Sequence, residues 1–170
     1  MPPLAFRRAR GAKDRETIRR LAEATWPKTF EGILADGQIR YMLSWMYSDE
    51  AIEADENAGA RWDFALDETG EPVGFVEYDG EPKGEERALE LHKVYLVPEM
   101  WGAGHGQEAL ARVLSHAREK GAKSVWLRVN RQNVRAQKAY QRAGFGIAAE
   151  DAKDIGHGFV MDDYIFSVAL

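Results

Sequence analysis

The sequence predicts a mixed α/β domain in which helices flank a central, mostly antiparallel sheet. Apolar segments of strand-like alternation are interleaved with segments of helical spacing, and two strand-like segments follow each other near the C-terminus. This order differs from the repeating series of a doubly wound sheet. We expect about six or seven strands and about four helices. A chain of 170 residues is typical of one domain, which we predict over residues 1–170.

The N-terminal half predicts a short strand, two helices and a hairpin. Residues 4–9 alternate briefly between apolar and polar, as in a strand. Asp14 is expected to cap the first helix and Pro27 to end it. The apolar face of this helix contains Ile18, Leu21, Ala22 and Thr25. The remaining expectations are a helix over 38–47, an acidic segment over 49–56 that extends or follows it, and strands over 62–66 and 73–78.

The C-terminal half carries the more regular patterns. A strand over residues 88–97 is followed by a glycine-rich turn and by a helix over 107–120 with one apolar stripe. Gly121 is expected to end this helix in a left-handed conformation. The remaining expectations are a strand over 124–129, a helix over 133–142 closed by Gly144, and two strands over 145–149 and 159–168.

The composition excludes several kinds of site. The chain contains no cysteine, which excludes disulfides, thiolate metal sites and a cysteine nucleophile. Its four histidines show no paired ligand spacing, so we expect no bound metal. No apolar run approaches the roughly 20 residues that span a bilayer. The N-terminus, with Arg7 and Arg8 after a mixed start, lacks a signal-peptide core. We therefore expect a cytoplasmic protein with no membrane partner.

Charge is unevenly distributed along the chain, whose net charge is −5. Residues 61–100 carry 4 basic and 11 acidic side chains, whereas residues 101–170 carry 10 and 7. The basic last third suits a phosphate-bearing ligand. The acidic middle either suits a cationic partner or is a solvated loop around Glu81, Glu85 and Glu86. Because the middle is acidic, we expect no nucleic-acid partner.

The most informative motif is the turn Trp101-Gly102-Ala103-Gly104-His105-Gly106, between a predicted strand and a predicted helix. Alternate glycines let backbone N–H groups approach a phosphate, and the helix dipole adds positive potential there. The turn formally fits a dinucleotide pattern, but it follows a late strand and lacks the acidic residue expected about 20 positions on. The G-K-[ST] sequence of a P-loop is absent.

A second motif lies in residues 129–145. Together with the glycine turn it resembles the GNAT superfamily of acyl-CoA-dependent N-acyltransferases. That family has a strand, then [Q/R]-x-x-G-x-G/A opening a helix, then N-x-x-A-x-x-x-Y-x-x-x-G-F. The second motif is complete here, at Asn133, Ala136, Tyr140, Gly144 and Phe145. The first keeps Gly104 and Gly106, but Trp101 replaces glutamine or arginine and His105 replaces a branched aliphatic residue.

The resemblance implies a GNAT-like fold and an enzyme that uses acetyl-CoA (coenzyme A) to acetylate a primary amine of a small molecule by direct attack. Residues 91–99, residues 156–164 and Thr29-Phe30 resemble bacterial polyamine-type (spermidine/spermine) acetyltransferases in particular. Two alternatives stay open: a protein lysine or N-terminal acetyltransferase, and a non-catalytic CoA-binding sensor module. The oligomeric state, a homodimer included, is also open.

The resemblance also assigns the cofactor-binding residues. Main-chain groups of Val94 and Leu96 are expected to bind the pantetheine arm. Arg131, Arg135 and Lys138 are the candidate cations for the 3′-phosphate. The other expected cofactor-binding residues are Trp101, Gly102, Ala103, Gly104, His105, Gly106, Gln107, Asn133 and Ala136.

Acetyl transfer to an amine poses two proton problems. An alkylamine with a pKa of about 10.4 is almost wholly protonated at neutral pH, so a base must take its proton. The departing thiolate leaves more readily beside an acid, for which Tyr140 matches the family's tyrosine. Glu90 and His92 are the candidate bases, although a β-bulge in their strand would change where the side chains beyond it point.

The acceptor pocket is expected between the N-terminal helices and the last hairpin. Aromatic rings beside carboxylates suit a cationic amine through cation–π contacts and ion pairs. The candidates are Trp26, Phe30, Glu31, Tyr41 and Trp45, all of which are also compatible with a role in the core.

Overall fold

The computed structural model describes residues 2–170, and within them seven strands form one sheet. The strands are β1 (Ala5–Arg8), β2 (Ala60–Leu66), β3 (Pro72–Asp79), β4 (Ala88–Leu96), β5 (Ser124–Asn130), β6 (Gly146–Gly156) and β7 (Phe159–Ala169). The helices are α1 (Gly11–Thr29), α2 (Asp36–Met46), α3 (Asp49–Asn57), α4 (His105–Glu119) and α5 (Val134–Arg142). The sheet order is β1-β2-β3-β4-β5-β7-β6, and only β4 and β5 pair in parallel within the described residues. The predicted mixed, mostly antiparallel sheet is confirmed, with five helices where about four were expected.

The start and end of α1 differ from the prediction. Arg10, not Asp14, is the N-cap residue, and Asp14 lies inside the first turn. There its carboxylate accepts the Arg10 N–H at 2.7 Å and binds the Arg7 guanidinium at 2.9 Å. Pro27 lies in the last turn but does not end the helix, because buried Trp26 anchors that turn and its carbonyl accepts the Phe30 N–H at 2.9 Å. The expected cap and stop were therefore wrong, while the apolar face was correct.

The helices cover opposite faces of the sheet and create two main cores. Helix α4 packs Leu110 and Val113 against Leu89 and Leu127 of the sheet. Helices α1 to α3 cover the other face around β2 and β3, in an aromatic core formed by Trp26, Phe30, Tyr47, Trp62, Phe64 and Phe75. None of the helices in the described residues is long and apolar enough to cross a bilayer.

Strand β6 is longer than its sequence pattern suggested. The prediction ended it at residue 149, but it continues to Gly156. Its central residues are polar and mostly exposed, so they show no apolar alternation. Backbone pairing with β7 maintains the strand, with Asp151 opposite Asp163. Since β6 is the edge of the sheet, charged side chains on it are an ordinary feature.

A β-bulge at His92 separates two parts of β4. Glu77 pairs with Lys93 but Tyr78 pairs with Leu91, so His92 has no partner on β3. The bulge reverses the alternation of the strand. Leu89 and Leu91 face α4 before it, and Val94 and Leu96 lie on that same face after it, opposite Val76 and Gly74.

Strands β4 and β5 diverge at the same point. Their pairing extends only from Ala88 opposite Ser124 to Leu91 opposite Leu127. Beyond it, β4 continues to Leu96 and β5 to Asn130 without pairing to each other. The sheet therefore has a wedge-shaped gap, which opens immediately after the bulge.

A buried ion pair lies beside this gap. The Lys93 ammonium is 2.5 Å from a Glu77 carboxylate oxygen and lies over the rings of Tyr47 and Trp62. Burial raises the pKa of Glu77, and the charge of Lys93 opposes that rise. A charge buried without its partner is strongly unfavourable, so each member of the pair depends on the other.

We predict that Lys93→Met lowers the free energy of unfolding by about 3–5 kcal/mol, because Glu77 would stay buried without its cation. Adding Glu77→Gln to the same chain should recover most of that loss. Urea unfolding of the wild type, both single variants and the double variant measures the coupling. Additive losses in the double variant would contradict the prediction.

Candidate active site

A cavity of about 600 Å³ occupies the gap between β4 and β5. On one face of the sheet it is bounded by the turn after β4 and by α5, including Gly104 and Tyr140. On the other face it reaches Thr29 and Phe30 at the end of α1. One continuous space therefore connects the two faces of the sheet, and a different ligand can enter from each side.

The turn before α4 presents a row of free backbone donors. Gly102 and Gly104 have φ values of +83° and +84°, a left-handed conformation that strongly favours glycine. Within the described residues, the N–H groups of residues 102–106 donate to no other protein group. Donors at a helix N-terminus form an anion site. This turn therefore matches the predicted diphosphate cradle.

Two side chains at the start of α4 hold the glycine turn in place. His105 is buried, and its Nδ1 lies 2.5 Å from the Glu108 carboxylate. The amide of Gln107 donates to the Ala139 carbonyl at 2.9 Å, which connects the start of α4 to α5. Ala103 and His105 do not line the cavity. The buried His105 ring supports the turn, so the cofactor contact predicted for His105 is left to its backbone N–H, one of the free donors of the cradle.

Trp101 and Arg135 form a stacked pair at the mouth of the cradle. The Arg135 guanidinium carbon lies 3.6 Å from the centre of the Trp101 ring, and both residues line the cavity. The indole N–H donates to the Leu96 carbonyl at 2.9 Å, which fixes the ring. Among the described residues Arg135 has no acidic partner, and burial lowers its pKa. An unpaired guanidinium beside free N–H donors is suited to a phosphate.

The other two candidate cations are placed differently. Arg131 is engaged by Glu150 and Asp162 at 3.1 and 3.2 Å, and Lys138 is exposed and does not line the cavity. Of the three side chains that the sequence offered as cations for the 3′-phosphate, only Arg135 lines the cavity.

Helix α5 positions Tyr140 over the gap. Its N-cap is Asn133, whose side chain accepts the Ala136 N–H at 3.2 Å. Tyr140 lies two turns further along and packs edge-on against Phe145 and Phe166. In residues 2–170 its hydroxyl has no hydrogen-bond partner. Burial raises the pKa of Tyr140 to about 12, with Arg135 opposing the rise, so the phenol stays protonated at neutral pH.

His92 lies at the bulge in a network with two carboxylates. Its Nε2 is 2.8 Å from Asp79 and its Nδ1 is 3.4 Å from Glu90. Burial would lower the pKa of His92, but these carboxylates raise it to about 9. The imidazole is therefore protonated at neutral pH. The three side chains are close enough to hold a metal ion, yet a doubly protonated ring offers no lone pair to one.

The structure brings most of the predicted site residues together around one cavity. Those that line it are His92, Val94, Leu96, Trp101, Gly102, Gly104, Gly106, Gln107, Asn133, Ala136 and Tyr140. Glu90 does not line the cavity; its carboxylate lies 3.4 Å from His92 Nδ1, and its backbone N–H donates to Asp79. Of the expected acceptor-pocket residues, Phe30 lines the cavity, Trp26 is core, Glu31 binds Lys28, and Tyr41 stacks on Trp45 away from it.

Tyr95 is a cavity residue that the sequence did not indicate. It lies beyond the bulge and packs against Trp26 and Phe30 with ring centres 5.6 and 6.4 Å away. Regular alternation grouped it with Leu89 and Leu91, but the bulge turns it to the face of α1. No sequence signal locates such a bulge by itself.

A family model described as the acetyltransferase (GNAT) family matches residues 17–145 of the chain. The chain belongs to the GNAT acetyltransferase family. The resemblance stated from the two motifs is thereby confirmed. The match extends beyond those motifs to α1, α2 and the first hairpin.

Relatives in sequence agree with this family. The chain is 43% identical over 65 residues to an uncharacterized N-acetyltransferase of Mycobacterium tuberculosis, covering 38% of this chain and 42% of that protein. It is 32% identical over 85 residues to an uncharacterized N-acetyltransferase of Methanocaldococcus jannaschii, covering 48% and 38%. The chain thus spans about two-fifths of the length of the curated relatives it matches.

Solved structures show the same fold over the full chain. The PaiA N-acetyltransferase of Thermoplasma acidophilum, in complex with coenzyme A, matches with a TM-score of 0.77 and 21% identity over 99% of this chain and 100% of that one. The spermidine N-acetyltransferase of Vibrio cholerae, in complex with CoA and spermine, matches with a TM-score of 0.67 and 18% identity over 98% and 95%.

The cavity fits the acyl-CoA donor that GNAT acetyltransferases use. Free N–H groups at residues 102–106 suit the diphosphate, and Gly106 leaves its neighbourhood open, since an added Cβ would meet no atom within 4 Å. Main-chain atoms of Val94 beside the gap suit the amides of the pantetheine arm. The Leu96 carbonyl already accepts the Trp101 indole N–H, and it has a second lone pair for the expected pantetheine contact.

We predict that Gly106→Ala weakens CoA binding at least tenfold while leaving the melting temperature unchanged. The added Cβ has free space in the protein alone but occupies the space in front of the cradle. Isothermal titration with CoA and thermal unfolding are the measurements. Gly146→Ala, on a distant strand and equally unobstructed, is the matched control. Unchanged affinity in Gly106→Ala would remove the diphosphate from this turn.

We further predict that Arg135→Gln weakens CoA binding about tenfold, or about 1.4 kcal/mol, through loss of a charge-assisted contact. Trp101→Leu should give part of this loss, because the guanidinium loses the ring that orients it. Lys138→Gln removes an exposed cation from the same helix and is the control. Equal effects of Arg135→Gln and Lys138→Gln would show that only general charge matters.

Proposed function

We propose that this protein transfers the acetyl group of acetyl-CoA to a primary amine of a small cationic molecule, by direct attack. The observation that carries the proposal is the continuous cavity through the gap between β4 and β5. It has an anion cradle at one end, a protonated phenol in the middle and an aromatic-walled end beside α1. The same proposal treats residues 1–170 as one domain.

Binding and proton supply are divided among separate residues. When bound, acetyl-CoA supplies an acetyl group activated as a thioester. The cradle and Arg135 bind the negative end of the donor, and the gap admits its arm. No group in residues 2–170 accepts a hydrogen bond from the Tyr140 hydroxyl, so its proton is available to a departing sulfur.

The proposal keeps two candidates for the general base that takes the proton of the amine. Glu90 and His92 remain the predicted candidates, and both belong to the network with Asp79. With a pKa of about 9, His92 accepts a proton only at alkaline pH, or when a bound cation weakens its contacts to the carboxylates. A rate that rises through pH 9 and loses this rise in His92→Gln would assign the base to His92.

The acceptor class follows from charge. Asp79 and Glu90 contact His92 of the cavity wall without lining the cavity themselves, and the wall beside α1 includes Phe30 and Tyr95. Carboxylates beside aromatic rings favour an alkylammonium over an anionic or neutral amine. Because the fold is shared with a spermidine N-acetyltransferase, polyamines are included among the amines to be tested. The proposal places the reaction in the cytoplasm, where acetyl-CoA is available.

The first test measures release of free CoA from acetyl-CoA with spermidine, spermine, amino acids, aminoglycosides and lysine peptides. Turnover with one class of small amine would support the proposal and identify the class. Turnover with lysine peptides alone would instead favour a protein acetyltransferase. Thermal stabilisation by acetyl-CoA without any turnover would favour a CoA-binding sensor.

We predict that Tyr140→Phe lowers kcat about 100-fold or more with little change in CoA affinity, because only the proton donor is removed. Tyr164→Phe is the matched control, since Tyr164 lies under the Arg131 guanidinium and does not line the cavity. Steady-state kinetics paired with CoA titration separate the two effects. An unchanged kcat in Tyr140→Phe would exclude the phenol as the acid.

A further inference from the structure

Asp163 is a buried carboxylate that no sequence motif indicated. It lies on β7, is 5% exposed, and has Asn130 of β5 on one side and Asp151 of β6 on the other. Asn130 lines the cavity. Asp163 is therefore one strand away from the gap.

The strand register places the Asp163 side chain on the face of the sheet that α1 to α3 cover, where the acceptor is proposed to bind. On β7, Tyr164 and Phe166 pack into the core under α4, so Asp163 points to the opposite face. On that face Met161 packs against the core under α1 and α2, and Tyr95 lines the acceptor end of the cavity. The Asp163 charge is close enough to Tyr95 to contribute to the raised pKa of that phenol.

The Asp163 carboxylate is not directly paired, although Arg128 lies close enough to lower its pKa. Within the described residues it makes no hydrogen bond and no ion pair. The adjacent cations are engaged elsewhere, Arg128 with Asp151 and Arg131 with Asp162 and Glu150. An uncompensated buried carboxylate is unfavourable unless a ligand compensates it.

Its oxygens nevertheless remain reachable. The fully enclosed side-chain atoms without a partner in the described residues belong to Trp62, Glu77 and His105, and neither Asp163 oxygen is among them. The carboxylate is thus unpaired, mostly shielded from water and still accessible. Asp163 does not itself line the cavity, but its partner Asn130 does, so an unpaired carboxylate at this position can compensate a cation bound at that edge of the cavity.

Burial and the neighbouring charges determine the pH range in which Asp163 is ionised. Burial raises its pKa to about 6, Arg128 of β5 opposes the rise, and Asp151 of β6 and Asp162 of β7 add to it. Tyr95 faces it from β4 and is neutral at physiological pH. At pH 7.5 Asp163 is therefore mostly a carboxylate, and it becomes neutral as the pH falls through about 6.

We propose that Asp163 binds the alkylammonium group of the acceptor and thereby makes a positive charge on the acceptor a requirement for binding. This inference rests on the proposed function, since it concerns the second substrate of the same cavity. It identifies Asp163 as a substrate-binding residue and assigns it no step of proton transfer.

The test uses the complex of the protein with CoA, in which no turnover occurs. Spermidine and 1,5-diaminopentane are titrated into it by calorimetry at pH 7.5. We expect Asp163→Asn to weaken amine binding at least tenfold and to leave CoA binding unchanged. Asp162→Asn, at the adjacent, exposed and ion-paired position, is the control and should bind both amines as the wild type does.

A second measurement does not depend on the variant folding. Wild-type affinity for the two amines should fall as the pH is lowered from 7.5 to 5.5, because Asp163 gains a proton, while CoA affinity changes less. In Asp163→Asn this additional fall should be absent. A structural role alone would move the melting temperature without this pH signature.

The outcomes separate this inference from the proposed function. Equal amine affinity in the wild type and Asp163→Asn would overturn the role of Asp163 while leaving acetyl transfer intact. No amine binding by the wild-type CoA complex would also overturn it. Failure of the proposed function appears separately, as absence of CoA release with every amine in the panel.

Discussion

Strand β4 pairs with its two neighbouring strands over different lengths, and the β-bulge at His92 makes both pairings possible. Antiparallel pairing with β3 continues along most of β4, whereas parallel pairing with β5 stops at Leu91. An extra residue on one strand bends it and increases its twist. The end of β4 is thereby turned away from β5. The cavity that the site residues line depends on the gap that results.

The gap lets one space serve two ligands from opposite faces of the sheet. Helices α4 and α5 bound it on one face, and the end of α1 bounds it on the other. Free N–H donors gather on the first face, and the aromatic ring of Phe30 lies on the second. Under the proposed function, a thioester and an amine would reach the gap from opposite faces of the sheet.

The polar and charged groups around the gap either compensate one another or are left without a partner in the protein. Lys93 and Glu77 compensate each other inside the aromatic core, and the carboxylates around His92 hold it protonated. Tyr140, Arg135 and Asp163 are different, since the described residues provide them with no polar or ionic partner. Uncompensated groups cost stability, and their concentration around one cavity is typical of a functional site.

The sequence by itself determined the elements, the fold class and the family, because these depend on local periodicity and on short motifs. The glycine turn, Asn133 as a cap and Gly121 and Gly144 as helix ends are all set by backbone preferences of individual residues. Only the tertiary structure determined which side chains lie together around the cavity. The bulge turned Tyr95 toward the acceptor side, stacking selected Arg135 among three cations, and register across β7 placed Asp163 beside the cavity. Such contacts join residues far apart in the chain, and no local pattern encodes them.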